Sequence, residues 1–231
     1  MSRLVFEIGT EAIPATYLSP VLEALARHAE AGLEALRLAH GGVTALGSPN
    51  RLVLRVEGLA SVQEDLTREV TGPRVDVAFR DGAPTAAAEG FARKNGIAVA
   101  DLVTVEGERG AVVQAQVHVE GRPAAAVLPD FLAELAVGLS WPKTMRWKSG
   151  GIPFPRPVRW VLCLLDEAVL PVTVAGLASG RETRGHRLLG PGTHVVPEAG
   201  SLEAVLEAAG VVLDPGRRRE TIVRELARAA E

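Results

Sequence analysis

The residues best suited to chemistry lie between Trp141 and Arg187. There Lys143, Arg146, Lys148, Arg156, Arg159, Arg181, Arg184 and Arg187 face only Asp166, Glu167 and Glu182, a net of +5. The whole chain carries −3, so the remainder carries −8. A basic segment in an acidic chain suits polyanion binding, since bound phosphates release counterions while the acidic remainder limits non-specific adhesion. Arg offers a planar fork that matches phosphate oxygens, and Trp can stack on an unpaired base. One Arg alone says little here, because among 25 cations only Lys94, Lys143 and Lys148 are lysines.

Each of these residues also has a structural reading. Trp160 opens an apolar run and reads first as core, whereas Trp147 is open between core and surface. Pro153, Pro155 and Pro157 impose an extended entry with Phe154 buried and Arg156 exposed. For Arg156 and Arg159, structural pairing and RNA contact both stand; a cation–π stack on an indole would hold such an Arg in place. In Thr183-Arg184-Gly185-His186-Arg187, Gly185 permits a bend and close approach, and the donors could grip a phosphate or a carboxylate. The alternative is a loop locked by its own hydrogen bonds. Binding is favoured because Arg-Gly-His-Arg on a loop has little packing value.

Glu7 and Glu11 could pair as carboxylates for acid/base work. The blander reading is stronger: the helix dipole favours a Glu before a helix, and Glu7 can bind a neighbouring cation such as Arg51. No Gly-rich phosphate loop, dinucleotide fingerprint or Gly-x-Ser-x-Gly elbow is present, so nucleotide binding and serine acyl transfer lack local support. His28, His40, His118 and His194 have no second ligand at metal spacing. Cys163, the only cysteine, excludes an internal disulfide and reads as a buried thiol between Leu162 and Leu164. No signal-like or membrane-spanning apolar run occurs, which leads to a cytoplasmic expectation.

The elements that must position these groups are mixed. Arg3–Ile8 reads as a strand. A helix capped at Ser19, with Pro20 in its first turn, carries Leu22, Leu25, Ala29, Leu33 and Leu36 towards a stop at Gly41-Gly42. Strands at 43–47 and 51–56 complete a β-α-β-β unit. A helix from Pro84 to Gly96, a hairpin of 103–106 with 111–119 around Gly107-Glu108-Arg109-Gly110, and a helix from Pro123 to Val137 interrupted at Pro129 follow. Strands are expected at 158–165, 170–175 and, more weakly, 193–196. Helices follow at Ser201–Ala209 and from Asp214-Pro215, the last with Ile222, Val223, Leu226 and Ala230 on one face. That stripe runs to Glu231 without a stop, which reads as a fragment of a longer subunit.

Four collinear motifs carry a family resemblance. They are Phe6-Glu7-Ile8-Gly9-Thr10-Glu11-Ala12-Ile13-Pro14-Ala15; Ser48-Pro49-Asn50-Arg51-Leu52; Thr144-Met145-Arg146-Trp147 with Phe154-Pro155-Arg156-Pro157-Val158-Arg159-Trp160; and Ser179-Gly180-Arg181-Glu182-Thr183-Arg184-Gly185-His186-Arg187. Gly72-Pro73, Pro84-Thr85-Ala86-Ala87 and Gly90-Phe91-Ala92 lie between them. In this order they resemble the N-terminal part of the β subunit of bacterial heterotetrameric glycyl-tRNA synthetase, over essentially the whole chain. The chain departs at Ala12, Asn50, Thr144 and Leu188, where the family usually has Glu, Arg, Ser and Phe.

The resemblance implies an α+β chain: an N-terminal β-α-β-β unit, then a mixed region similar to the B3/B4 module of phenylalanyl-tRNA synthetase, ending in helices. The expected division is 1–70, 71–200 with the basic segment 141–187, and 201–231 as the helical start of a downstream region. It implies a ligase joining glycine to its tRNA with ATP, the aminoacylation site lying on the α subunit and no cofactor or catalytic residue in this part. Expected partners are the α subunit, tRNA for glycine and the downstream β-subunit domains. The candidate tRNA-binding residues are Lys143, Arg146, Trp147, Arg156, Arg159, Arg181, Arg184, His186 and Arg187. Two alternatives remain: a structural interface without tRNA contact, and hydrolytic editing of mischarged tRNA, for which His186 and Glu182 are the local candidates.

Overall fold

The computed structural model describes residues 1–107, 110–147 and 151–230. Lys148 of the basic segment and the turn residues Glu108 and Arg109 lie outside the described residues. In chain order the first elements are β1 (Ser2–Thr10), α1 (Ala15–Ala35), β2 (Val43–Ser48) and β3 (Arg51–Leu59). Then come β4 (Leu66–Arg74), α2 (Val75–Ala78), β5 (Phe79–Arg80), β6 (Ala83–Pro84), α3 (Ala86–Asn95), β7 (Val103–Val105) and β8 (Val112–Val119). The rest comprises α4 (Ala124–Gly138), β9 (Met145–Arg146), β10 (Pro153–Phe154), β11 (Val158–Leu165), β12 (Ala168–Val169), β13 (Thr173–Val174), β14 (Leu177–Ala178), β15 (Glu182–Arg184), β16 (Thr193–Val195), α5 (Leu202–Ala208) and α6 (Pro215–Ala229).

These elements form two compact units. Residues 1–63 and 122–231 make the larger one, and residues 64–121 are inserted within it. This differs from three consecutive segments, and the reason is strand pairing. The expected β-α-β-β unit does form, but its first strand also pairs with β11, some 150 residues away in sequence. The larger unit is therefore built on an antiparallel sheet of order β12-β11-β1-β3-β2. In the smaller unit β4, β8 and β7 form an antiparallel sheet, and Ala78, Ala88 and Val113 make its core. Thr85 caps α3 there, and the left-handed Gly96 ends it as expected.

β1 is the centre of the large sheet and is buried on both faces, which explains its nearly continuous apolar run. Leu4, Phe6 and Ile8 pack with Leu52, Leu54, Val161 and Cys163 beneath α1 and α4. Val5, Val53, Leu162 and Leu164 face the other way and are covered by Val196, Ala199, Leu202, Leu206 and Leu213. Cys163 is buried as expected, and burial pushes its thiol pKa up. The second face is tied down by Arg55 to Glu203 at 2.9 Å. The Arg3 backbone N–H donates to Asp166 at 2.7 Å, which holds that carboxyl below its ordinary range.

Several expected boundaries move. α1 begins at Ala15 rather than Ser19, and Pro20 lies inside it, because Leu18 extends the buried stripe by a turn. It also stops earlier than Gly41, at Leu36, where Arg37 adopts a left-handed φ of 55°. α4 is a single helix through Pro129. The strand expected over 170–175 reduces to Thr173–Val174. Leu170, Val172 and Val174 are buried in alternation, but Pro171 has no N–H to donate and Ala175 turns at a φ of 53°. The stripe of α6 does not enter a core: Ile222, Val223 and Leu226 are exposed.

One close approach shapes the working end of the sheet. Trp160, Gly9 and Arg51 lie in one cross-strand row of β11, β1 and β3, and a Cβ at Gly9 would fall inside the Trp160 indole. Glycine here leaves room for the ring to lie across the central strand. Gly9→Ala is expected to lower stability by about 1–3 kcal/mol through overpacking, read as a lower urea midpoint. Gly9→Ala with Trp160→Leu should recover part of that loss; no recovery would mean that the indole is not the obstacle.

Candidate functional site

The sheet face that carries Val5 also carries Glu7, the one buried charged residue of β1. Glu7 and Thr183 are 0 % exposed and Arg51 is 2 % exposed. Arg51 Nη1 donates to Glu7 Oε1 at 3.0 Å and to Thr183 Oγ1 at 3.1 Å, and its Nη2 donates to the Arg184 carbonyl at 2.6 Å. The Thr183 hydroxyl donates to the same Glu7 oxygen at 2.9 Å. The Glu7–Arg51 pairing read from the sequence is thus present, with Glu7 buried and Glu11 exposed. Burial pushes the Glu7 carboxyl above its ordinary range, opposed by Arg51, by Thr183 and by the neighbouring Trp160 indole. Burial likewise pulls Arg51 down while Glu7 raises it.

Above this cluster opens a cleft of about 680 Å³. Its walls include Glu11, Asn50, Arg51, Arg159, Trp160, Arg184, His186, Arg187 and Arg218. A bulge delivers two neighbours into it: Gly9 pairs with Trp160 and Thr10 with Val158, so Arg159 has no residue opposite. An extra residue re-aims the side chains of a bulged strand, which accounts for Arg159 and Trp160 both lining the cleft. The guanidinium carbons of Arg184 and Arg51 lie 5.1 and 5.4 Å from the Trp160 ring centre. At this range the ring quadrupole attracts a cation.

The loop after β15 is held by its own backbone and by the turn after α5. The His186 N–H donates to the Ala209 carbonyl at 2.9 Å and the Gly190 N–H to the His186 carbonyl at 3.0 Å. A Cβ at Gly185 would strike Gly190, Ala209 and His194. The locked-loop reading therefore describes the backbone, while Arg184 and Arg187 remain exposed. Among the described residues neither is paired with a carboxylate. Arg159 has one loose anionic neighbour, Glu11, at 3.7 Å. His186 Nδ1 accepts the Leu188 and Leu189 N–H groups at 3.2 and 3.1 Å.

The structure brings together four of the sequence candidates, Arg159, Arg184, His186 and Arg187. It places the others outside the cleft. Arg181 donates to the Pro197 and Glu167 carbonyls, Arg156 to the Ala12 carbonyl, and Arg146 to the Gly151 carbonyl. The Trp147 indole N–H donates to the Phe154 carbonyl at 3.0 Å, and Lys143 is exposed away from the cleft walls. Trp160 is half-buried, between its core and surface readings. Glu182 is not a cleft residue, so the two editing candidates do not converge there.

Arg51 and Arg218 are the lining cations that the candidate set lacks, and Arg51 is already paired with Glu7. Arg218 is also engaged. Its Nη1 donates to the Gly47, Val212 and Leu213 carbonyls at 3.1, 2.7 and 3.2 Å, tying α6 to the end of β2. The run Arg217-Arg218-Arg219 after the Asp214 cap is the sequence signal that points to it. Ala12 and Asn50, two of the positions at which the motifs depart from the usual pattern, also line the cleft.

The sequence profile described as "Glycyl-tRNA synthetase beta subunit" matches residues 4–231. The chain belongs to this family. It is 47% identical over 224 residues to the glycine–tRNA ligase beta subunit of Moorella thermoacetica, covering 96% of this chain and 32% of that protein. The corresponding subunit of Desulforudis audaxviator is 44% identical, over 98% of this chain and 33% of its own length. That of Myxococcus xanthus is 40% identical, with 98% and 32% covered. The chain thus spans about a third of the length of the curated relatives it matches. Among the described residues no helix is long and apolar enough to cross a membrane, and no cluster of three or more His, Cys, Asp or Glu forms a metal site.

A buried pair of ions behaves asymmetrically. Removing one partner leaves an uncompensated charge, at a cost of about 3–5 kcal/mol, whereas replacing both with apolar residues is often close to neutral. Glu7→Ala and Arg51→Met are each expected to fall in that range by urea denaturation, and Glu7→Leu with Arg51→Met to cost less than either. Additive effects in the double variant would show that the two side chains act independently.

Proposed function

We propose that this chain is a tRNA-holding part of a glycine–tRNA ligase beta subunit, and that the Arg-lined cleft contacts RNA phosphates. In this reading the complete ligase joins glycine to its tRNA with ATP in the cytoplasm. The aminoacylation site lies on the α subunit, and no residue of this chain is catalytic. The downstream β-subunit domains and the α subunit are its protein partners, and its resemblance to a B3/B4 module concerns architecture rather than hydrolysis.

The observation that carries the reading is the convergence of Arg159, Arg184 and Arg187 on one cleft from two separate elements. Guanidinium groups in a fixed concave site attract phosphate oxygens strongly, and a preset geometry lowers the ordering cost of binding. Family membership supports a nucleic acid as the ligand, since each of these relatives is a tRNA ligase subunit. The overall charge of −3 makes a local patch necessary for such contact.

The test is the salt dependence of tRNA binding by the ligase assembled from α and full-length β subunits. Removing one phosphate-binding cation should make the log–log slope shallower by about one unit. Arg159→Ala, Arg184→Ala and Arg187→Ala combined are expected to weaken binding and flatten the slope by about two to three units. Arg181→Ala, which removes carbonyl hydrogen bonds outside the cleft, should leave the slope unchanged. An unaltered slope in the triple variant would favour an interface without tRNA contact.

A further inference from the structure

Resting on the tRNA reading, we infer that the cleft receives an unpaired nucleotide, whose base stacks on the Arg184 guanidinium while its phosphate meets Arg187 and Arg159. The first argument is shape. A cleft of about 680 Å³ falls within the range of about 300–1,000 Å³ that encloses a small ligand. An A-form duplex is too wide to enter such a recess, whereas a splayed-out nucleotide fits. Recognition of single-stranded RNA uses this arrangement, with bases stacked on aromatic rings or on Arg planes.

The second argument is the layering at the cleft floor. The Trp160 indole rests against Gly9, and the Arg184 guanidinium carbon lies 5.1 Å from its ring centre. Arg184 is exposed while its guanidinium lies over the indole, so a planar group held on the ring is open to a base from the cleft side. The Arg184 backbone is fixed from below, because Arg51 Nη2 donates to its carbonyl at 2.6 Å. Arg51 is in turn held by Glu7 and Thr183. The platform is therefore set before any ligand arrives, and the ordering cost on binding is small.

The third argument is where free charge remains. Arg51 is neutralised by Glu7 at 3.0 Å, and Arg218 points one nitrogen at three carbonyls. Arg184 and Arg187 have no carboxylate partner among the described residues, and Arg159 has only Glu11 at 3.7 Å, with both side chains more than half exposed. A phosphate entering beside Arg159 competes with that carboxylate. Glu11 thus acts as an internal counter-anion at the rim, and its neutralisation should favour a nucleotide.

The experiment compares a fluorescent single-stranded RNA tetranucleotide with a short blunt RNA duplex of similar charge, by anisotropy, on the assembled ligase and its variants. Arg184→Lys keeps the charge but removes the planar stacking surface. It is expected to weaken tetranucleotide binding at least about fivefold, the lower end of base-stacking effects, and to leave the duplex unchanged. Glu11→Gln should tighten the tetranucleotide. Equal weakening of the tetranucleotide and duplex, or no weakening of either in Arg184→Lys, would overturn the stacked-nucleotide assignment. If the Arg159, Arg184 and Arg187 triple variant still flattens the tRNA salt slope, the tRNA reading survives that failure; if the slope is unmoved, both fall.

Discussion

The structure around the cleft depends on a buried carboxylate that needs a cation. Glu7 is fully buried in the central strand, and it is paired with Arg51 from the neighbouring strand. An Arg has more donors than one carboxylate oxygen can take. The spare ones reach Thr183 and the Arg184 carbonyl, so β15 is drawn onto the sheet by the same side chain. A two-strand ion pair thereby becomes a three-element clamp. Burial in itself disfavours both charges, so the pair specifies an arrangement more than it supplies net stability.

That clamp explains why the site lies at one end of the sheet. β1, β3 and β11 reach Gly9, Arg51 and Trp160 in the same row, and beyond it regular pairing is broken by the bulge at Arg159. The row places a glycine between a large ring and a long cation, which gives the indole a flat place to lie. Two cations then gather at its face. The loop carrying Arg187 closes against Ala209, where the glycines at 185 and 190 allow backbone contact that a Cβ would prevent.

Much of this is legible in the sequence, for identifiable reasons. The α+β class follows from apolar periodicity, and the Glu7–Arg51 pairing follows from the cost of a lone charge in an apolar strand. The Arg-Gly-His-Arg loop stands out because such residues have little to pack against. The discontinuous division is not legible, because it depends on β11 pairing with β1, which has no local signature. Nor is the bulge, since one extra residue in a strand leaves the apolar pattern nearly intact. The segment 170–175 imitates a longer strand because buried alternation persists even where Pro171 prevents continuous pairing.

The division between cleft and non-cleft arginines has the same origin. Composition makes all of them equivalent, since Arg is the default cation of the chain. What separates them is whether the fold offers an acceptor nearby. Arg146, Arg156 and Arg181 each end beside a main-chain carbonyl left open by a loop or a short strand. There a charged donor satisfies a backbone group that would otherwise need water. Arg184 ends β15 with its carbonyl already taken by Arg51, and Arg187 follows in a loop held by the His186 and Gly190 N–H groups. The Arg184 guanidinium lies over the Trp160 ring instead of beside a carbonyl, and Arg187 has no carboxylate partner among the described residues, so both cations line the cleft with no anion of the chain paired to them.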